Sequence, residues 1–255
     1  MKFASFNVNG INARLPRLLE WLDEAKPDVV GLQEIKAEDD KFPRMAIEAA
    51  GYHALLRGQK GFNGVAILSR RPLDLVADQL AGDADDRQAR WIEAMADDVH
   101  FVCLYLPNGN PAPGGKFDYK LAWMDRMAAR AAELLASERP VILAGDFNIC
   151  PTDFDAARPD LLAGDALTRP ESRGRFRALA ASGWTDAIRA AHPHHPCYSY
   201  WDYQGGAWAK NWGMRIDHLL LSPAAADRMH DCGIDRAVRG AERASDHVPV
   251  WLRLD

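Results

Sequence analysis

Three polar clusters at the ends of apolar runs carry the chemistry legible in this chain. Gln33-Glu34 follows Val29-Val30-Gly31-Leu32, Gly145-Asp146-Phe147-Asn148 follows Val141-Ile142-Leu143-Ala144, and Ser245-Asp246-His247 precedes Val248-Pro249-Val250-Trp251. Short apolar runs bounded by Gly and polar residues read as buried strands. Two clusters therefore stand at the C-terminal ends of strands, and the third leads into one. Carboxylates, a carboxamide and an imidazole gathered at sheet ends are the parts of a site that holds a hard cation and cleaves a phosphate ester. A lone Glu34 or Asp246 reads as well as an ordinary loop acid; all three clusters in one chain do not. Gly145 is expected to allow a tight backbone exit that aims Asp146 and Asn148 forward.

Strand and helix patterns alternate around these clusters. Strands are expected at 2–8, 28–33, 52–57, 64–69, 141–145, 215–221 and 247–253, and a hairpin at 90–96 and 99–106 around Asp97-Asp98. Leu15, Leu18, Leu19 and Leu22 fall on one side of an amphipathic helix at 14–25. Further helices are expected near 42–50, at 118–136 and at 173–182. Residues 58–64 form a Gly-rich turn without the spacing of a phosphate-binding P-loop. Hairpin-like neighbours, intervening helices and similar strand-to-acid corners near 34 and 146 predict an α/β fold. Two mixed sheets pack together in two loosely similar halves with helices outside, a four-layer α/β-sandwich. Pro111-Ala112-Pro113-Gly114-Gly115 reads as a surface loop, and nothing marks a boundary, so 1–255 is expected to be a single domain.

Composition narrows the setting. At 48% hydrophobic and 26% charged, 255 residues suffice for one large core, and no apolar run reaches membrane-spanning length. The strand-like opening at Lys2-Phe3-Ala4-Ser5-Phe6 carries no secretory pattern. Cys103, Cys150, Cys197 and Cys232 are scattered without a C-x-x-C pair, which fits reduced thiols and a cytoplasmic protein. Net charge is −5, but bases group at Arg169, Arg173, Arg175 and Arg177, at Lys116, Lys120, Arg126 and Arg130, and at Lys210 and Arg215, while acids concentrate in 78–86. The run His192-Pro193-His194-His195-Pro196-Cys197 lacks a second ligand pair at suitable spacing and reads as a polar loop, not a zinc site.

Further segments occur in a fixed order with these clusters: Phe6-Asn7-Val8-Asn9-Gly10, Leu32-Gln33-Glu34-Ile35-Lys36, Tyr105-Leu106-Pro107-Asn108-Gly109, Trp201-Asp202-Tyr203 and Arg215-Ile216-Asp217-His218. From residue 2 to about 252 the chain resembles the bacterial exonuclease III family, abasic-site endonucleases and 3′-exonucleases within the endonuclease/exonuclease/phosphatase superfamily. Gly-Asp-Phe-Asn and Ser-Asp-His alone would fit the whole superfamily, including sphingomyelinases and inositol-phosphate phosphatases. The opening Phe-Asn-Val-Asn-Gly, Gln-Glu-Ile-Lys and Arg-Ile-Asp-His narrow it to the DNA-repair branch.

The resemblance and the chemistry together assign roles. Mg²⁺, with Mn²⁺ as a substitute, takes one or two carboxylates and keeps several waters. Glu34 is the first expected ligand, with Asp246 and Asn7 nearby directly or through water, and Asp146, Asn148 and His247 complete the cluster. Asp146 would orient the attacking water or accept its proton. Asn148, two residues on in an extended chain, would point to the same side and donate to that water or to phosphate. His247 would donate to phosphate as charge develops. The resemblance implies that Asp217 holds this imidazole and that Tyr105 touches the phosphate or the leaving oxygen. It also implies an abasic-sugar pocket at Tyr200, Met214 and Ile216 with Trp201 and Trp208 close by, and a phosphate-gripping segment with Asn108 and Lys116. Some relatives carry an aromatic residue at the position of Met214, so a pliable side chain here departs from the pattern.

The expected protein is a monomeric Mg²⁺-dependent phosphodiesterase acting on double-stranded DNA at abasic sites and 3′ ends, with no membrane partner. A superfamily phosphatase on lipid or inositol phosphates and a non-catalytic damaged-DNA-binding module are the alternatives. The bases and the aromatic segment 198–216 argue against the first, and the intact acid set against the second.

Overall fold

The computed structural model describes residues 1–255, and in it the apolar runs become strands buried on both faces. In chain order the elements are β1 (Lys2–Asn7), α1 (Ile11–Ala25), β2 (Val29–Gln33), α2 (Arg44–Ala49), β3 (His53–Arg57), β4 (Val65–Ser69), β5 (Asp74–Ala77), β6 (Trp91–Ala96), β7 (Val99–Tyr105), α3 (Gly115–Ala136), β8 (Val141–Asp146), α4 (Pro170–Ala181), β9 (Thr185–Asp186), α5 (Ala187–Ala191), β10 (Asp217–Leu221), α6 (Pro223–Ala226), β11 (Met229–Ile234) and β12 (Val250–Leu254). One sheet has the order β11-β12-β1-β2-β4-β3, the other β5-β6-β7-β8-β10-β9.

Alternate side chains of each strand serve different layers. Phe3 and Val29 of the first sheet meet Phe101, Ile142 and Leu219 of the second in the core between the sheets. Ala4 and Val30 face outward under α1, where Ile11, Leu18, Trp21 and Leu22 cover them. Val102 and Leu143 face outward under α3, covered by Trp123, Met124, Met127 and Leu134. Two apolar faces per strand explain why the runs read as unbroken rather than alternating. The outcome is the expected four-layer α/β sandwich. Its two halves each contain a β-α-β unit with parallel strands, β1-α1-β2 and β7-α3-β8.

Element ends shift slightly from the sequence expectation: α3 begins at Gly115 and α4 spans Pro170–Ala181. Asp217 leads β10 instead of standing mid-strand. Four-residue β5 escaped the sequence reading because it is an exposed edge, with Leu75 and Val76 turned to solvent. The short β9, α5 and α6 and the polar-faced β11 carry too little periodicity to be read alone.

The two glycines of the polar-cluster strands serve interstrand approach. Gly145 lies within β8 opposite Leu104, and a Cβ there would stand 2.0 Å from the Leu104 carbonyl oxygen. Its role is this close approach of parallel strands, not the tight exit expected from the sequence. A Cβ on Gly31 would likewise meet Cys103 of the facing sheet at 2.9 Å.

Candidate active site

Parallel β1 and β2 finish side by side, with Asn7 opposite Gln33. Glu34 follows at a φ of 51°, a left-handed turn that bends the chain as it leaves the sheet. In the other sheet β8 finishes on Asp146, paired with Tyr105 of β7 on one side and Asp217 of β10 on the other. Asp246 and His247 lie in the approach to β12, where His247 bridges Tyr200. Packing of the sheets then brings ligand atoms of Glu34, Asp146 and His247 within 4.8 Å of one another.

Asn7 joins the two halves. Its amide donates to Glu34 Oε1 at 3.0 Å and to Asp146 Oδ2 at 2.9 Å, while its oxygen accepts from the Asn9 N–H at 3.0 Å. With both N–H groups spent on carboxylates, Asn7 spaces the acids apart. Lys36 Nζ lies 2.9 Å from Glu34 Oε2 and donates to Asn9 Oδ1, and the Asn9 amide donates to Asp246 Oδ1 at 2.9 Å. Burial alone would raise the Glu34 pKa, but hydrogen bonds from Lys36 and Asn7 hold it below the usual carboxylate range. Asp146 shifts the other way: burial raises it, and the nearby Asp217 and Glu34 add to the rise.

Asp217 and His247 meet. Asp217 Oδ2 lies 2.8 Å from His247 Nδ1 and also accepts the Ser199 hydroxyl at 2.6 Å. The imidazole's other nitrogen faces Asp146 Oδ2 at 3.7 Å. Burial opposes charge on His247, yet the two carboxylates outweigh it and raise its pKa, favouring the form with protons on both nitrogens. The neighbours of Asp217 face elsewhere. His218 is wedged between Phe147 and Phe176, with Nε2 bonded to the Ile149 carbonyl and Nδ1 facing the Arg215 guanidinium. Tyr105 keeps its phenolic proton, because burial and then Glu34 and Asp146 raise its pKa.

Asn148 departs from expectation. Its φ is 47°, so the chain is not extended there. Its amide donates to the Leu106 carbonyl at 2.9 Å and its oxygen accepts from Asn108 at 3.0 Å. The side chain thus ties two loops together, and it is the backbone N–H that reaches Asp146 Oδ1 at 2.8 Å. Lys120 supports both loops from beneath, donating to the Asn148 carbonyl at 2.6 Å and the Asn108 carbonyl at 3.0 Å. Burial lowers its pKa to about 7. Sequence reading grouped Lys120 with surface bases, yet a lysine on the stripe Phe117, Lys120, Trp123, Met127 was a signal of a buried charge.

A cavity of about 370 Å³ opens over this cluster. Glu34, Asp146, Asp246 and His247 line it, as do Tyr105, Asn108, Asn148, Tyr200, Met214 and Ile216. Asn110, Leu162, Asp165, Leu167 and Asp202 complete the wall and were not anticipated. Two expected binding residues lie outside. Lys116 is exposed in the first turn of α3, and Trp208 packs edge-on against Trp201 at 5.0 Å, beneath Arg236. Trp201 is itself fully buried. Trp212 instead lines an adjoining cavity, which shares Leu162, Tyr200, Asp202 and Met214 with the first.

Most bases grouped in the sequence are already paired. Arg126 meets Asp86, Arg130 meets Glu93, Arg173 meets Asp153, Arg175 meets Asp125, and buried Arg215 meets Asp155 and Asp186. Close intramolecular carboxylates neutralise them, so they do not form free phosphate-gripping groups.

Residues 4–247 match the family described as Endonuclease/Exonuclease/phosphatase. Exodeoxyribonuclease III of Haemophilus influenzae is 36% identical over 268 aligned positions that cover 100% of both chains. An AP endonuclease from Archaeoglobus fulgidus superposes with a TM-score of 0.95 at 34% identity, over 100% of this chain and 99% of that one. The 3′ phosphatase NExo from Neisseria, solved bound to a product DNA hairpin, superposes with a TM-score of 0.96 at 36% identity, again over 100% and 99%. The chain belongs to the endonuclease/exonuclease/phosphatase family and, within it, to the exonuclease III branch of DNA-repair nucleases.

Proposed function

We propose that this nuclease acts on double-stranded DNA with a divalent cation, Mg²⁺ or in its place Mn²⁺. It cuts on the 5′ side of abasic sites to leave a 3′-hydroxyl, and it removes nucleotides or blocking groups from 3′ ends. One observation carries the reading: Glu34, Asp146 and His247 converge within 4.8 Å beneath a cavity that Tyr200, Met214 and Ile216 also line. Phosphate chemistry and a sugar-sized apolar wall share one space. The near-equal likeness to an exodeoxyribonuclease, an AP endonuclease and a 3′ phosphatase supports a site that serves several 3′-end and abasic substrates.

The donor set suits the cation. Glu34 is held ionised, and the groups around it offer oxygen, the preferred ligand atom of hard cations. Glu34 would hold the ion, with Asp246 and the Asn7 oxygen reached directly or through water. When bound, the ion neutralises phosphate charge and stabilises the departing 3′ oxygen. Asp146 faces the scissile phosphate and takes a proton from the attacking water; its raised pKa makes it a better base, and the Asn148 N–H fixes one of its oxygens. His247 donates from Nε2 to a phosphate oxygen, with Asp217 holding the ring by Nδ1. Protonated in this way, His247 serves better as a donor to phosphate than as a metal ligand. The Tyr105 phenol gives a second donor. Tyr200, Met214 and Ile216 close around the sugar, a space that a base-free, flipped-out residue enters readily. Asn108 and Lys116 contact flanking phosphates.

The nuclease is further proposed to act as a monomer. Free buried thiols at Cys103, Cys150 and Cys232 suit a reducing cytoplasm. No helix is long and apolar enough to cross a membrane.

The test is a duplex with one tetrahydrofuran abasic analogue, beside an undamaged recessed duplex, with Mg²⁺ or with chelator. Cleavage 5′ to the analogue and shortening of the recessed end are both expected only with Mg²⁺. Glu34→Gln should lower both rates about a hundredfold or more while keeping the fold. Equal cutting in chelator would sink the metal reading, and full activity of folded Glu34→Gln at saturating Mg²⁺ would remove Glu34 as a ligand.

A further inference from the structure

Beside the phosphate cavity lies a second of about 380 Å³. Leu162, Tyr200, Asp202 and Met214 line both, and Tyr200 and Met214 are the shared side chains proposed to hold the sugar. The two spaces differ in chemistry. Glu34, Asp146, Asp165, Asp202 and Asp246 all border the first, a setting for a cation and phosphate. Apolar side chains dominate the second: Leu161, Leu162, Met214 and the Trp212 ring, with Arg158, Asp202 and Gln204 at its polar edge. The Arg158 guanidinium lies 5.0 Å over the Trp212 ring and is itself bonded to Asp160 at 2.8 Å. Lys210 Nζ also lies over that ring, at 4.3 Å, so one wall is an aromatic ring with cations on it, and aromatic rings and guanidinium planes are surfaces on which nucleobases stack.

We propose that this second cavity is a nucleobase subsite. It takes the base of the 3′-terminal nucleotide while that nucleotide's sugar lies against Tyr200, Met214 and Ile216 and its 5′ phosphate faces the acid cluster. The inference rests on the proposed DNA 3′-end activity and deepens it. Three features carry it. Continuity comes first: two of the shared side chains are those proposed to hold the sugar, so a base attached to that sugar is aimed at the adjoining space. Charge is the second, because a phosphate gains little beside Asp202 and Asp160, whereas an uncharged, flat, polar-edged base suits an apolar slot with donors and acceptors at its rim. Compliance is the third: Met214 is unbranched and pliable, so it can yield to a full nucleotide where a rigid ring would hold its place. The same site thus accepts a base-free sugar without using the second cavity and an intact 3′ nucleotide by using it.

The experiment compares three substrates and one spectroscopic signal. Wild type, Trp212→Ala, Trp212→Phe and Arg158→Ala are assayed on an undamaged recessed 3′ end, a duplex with an internal tetrahydrofuran and a 3′-phosphate end. Trp212→Ala should raise KM for the undamaged end by about five- to a hundredfold, the range for losing one base stack, with a smaller change in kcat. Trp212→Phe should restore most of that loss, and Arg158→Ala should show part of it. Activity on the tetrahydrofuran and 3′-phosphate substrates should stay within about twofold. Separately, 2-aminopurine at the 3′ terminus, bound in chelator, should lose fluorescence in wild type and far less in Trp212→Ala. The same probe placed several nucleotides inside the duplex should respond alike in both. Equal losses on all three substrates, or a terminal probe indifferent to Trp212, would overturn the subsite. Because the fluorescence arm needs no cleavage, it reads the subsite even if the proposed reaction fails. A chain that cuts none of the three substrates would refute the activity instead.

Discussion

Asp217 shows how much one carboxylate can organise. Its Oδ2 accepts from both His247 and Ser199, while its Oδ1 is buried with no hydrogen-bond partner. A buried carboxylate oxygen without a partner is unfavourable, and the imidazole of raised proton affinity beside it offsets this. Asp217→Asn leaves the shape nearly unchanged and removes that charge. It should lower kcat by about a hundredfold or more, because the donor to phosphate loses both its fixed ring orientation and its excess of proton. The sign of the pH effect follows from the same contact. Asp217 raises the His247 pKa, so without it the protonated donor is lost at lower pH, and the alkaline limb of kcat should move to lower pH. DNA affinity measured in chelator should hardly change, since no DNA contact is removed. An unmoved alkaline limb together with unchanged kcat would take Asp217 out of the reaction. The neighbouring Glu34 is held low by Lys36 and Asn7 while burial raises Asp146, so two acids of the same cluster are set apart by their surroundings.

At the scale of elements, the site consists of strand ends, and that is why so much of it could be read beforehand. Asp146 and Asn148 are contiguous with a strand, as are Glu34 and Asp246-His247, so residue type and strand boundary coincide in sequence. Contacts that cross the chain are harder to read, although the Asp217–His247 pair that the resemblance implies does form. Lys120 reaches Asn108 and Asn148 from a helix, Asn9 and Asp246 pair across 237 positions, and Trp212 lines the adjoining cavity while Trp208 lies outside the first. No local pattern encodes these meetings; they depend on how the sheets pack. Asn148 was misread for a local reason, since a left-handed residue breaks the alternation from which its direction was inferred. Gly145 was read correctly as required and wrongly explained. Its close neighbour is backbone of β7, which cannot swing aside. Gly145→Ala should therefore force β7 and β8 apart, destabilise the protein by about 3 kcal/mol and displace Asp146 and Tyr105 together. Urea unfolding measures the first effect and turnover of the surviving folded fraction the second. A midpoint matching the parent protein would show that the strands can separate without strain.

The whole molecule carries −5 yet is expected to bind a polyanion, and the distribution of pairs sets how strongly salt will act. With Arg126, Arg130, Arg173 and Arg175 bonded to acids, fewer of the grouped cations are open to phosphate, while Lys60, Lys116 and Lys210 have no carboxylate partner. Counterion release then predicts that log Kd rises with log salt at a slope of only about 2 to 4, measured in chelator. A slope near zero would leave no phosphate-gripping surface, and one near 10 would mean that the internal pairs open to the DNA. The same internal pairs govern response to acid. Glu93, inside the second sheet, bonds His100, Arg130 and Trp91, and these outweigh its burial and lower its pKa to about 2. Burial, with the Arg215 guanidinium, lowers His218 to about 4. The unfolded chain protonates His218 near its ordinary value of 6.5, so the contribution of this group to stability falls as pH drops from 6.5 to about 4, and that of Glu93 falls from 4.5 to about 2. Each window amounts to about 3 kcal/mol by linkage, a large share of the stability of an ordinary domain. Asp146, raised by burial to about 7, takes up its proton in the same window and acts with the opposite sign, so the His218 contribution is read at the ring itself: its imidazole should show no NMR titration above about pH 5. Titration of that ring near 6.5 in the folded protein would mean that water reaches it, and the wedge between Phe147 and Phe176 would then not be the closed support that β8 and β10 need beneath the acid cluster.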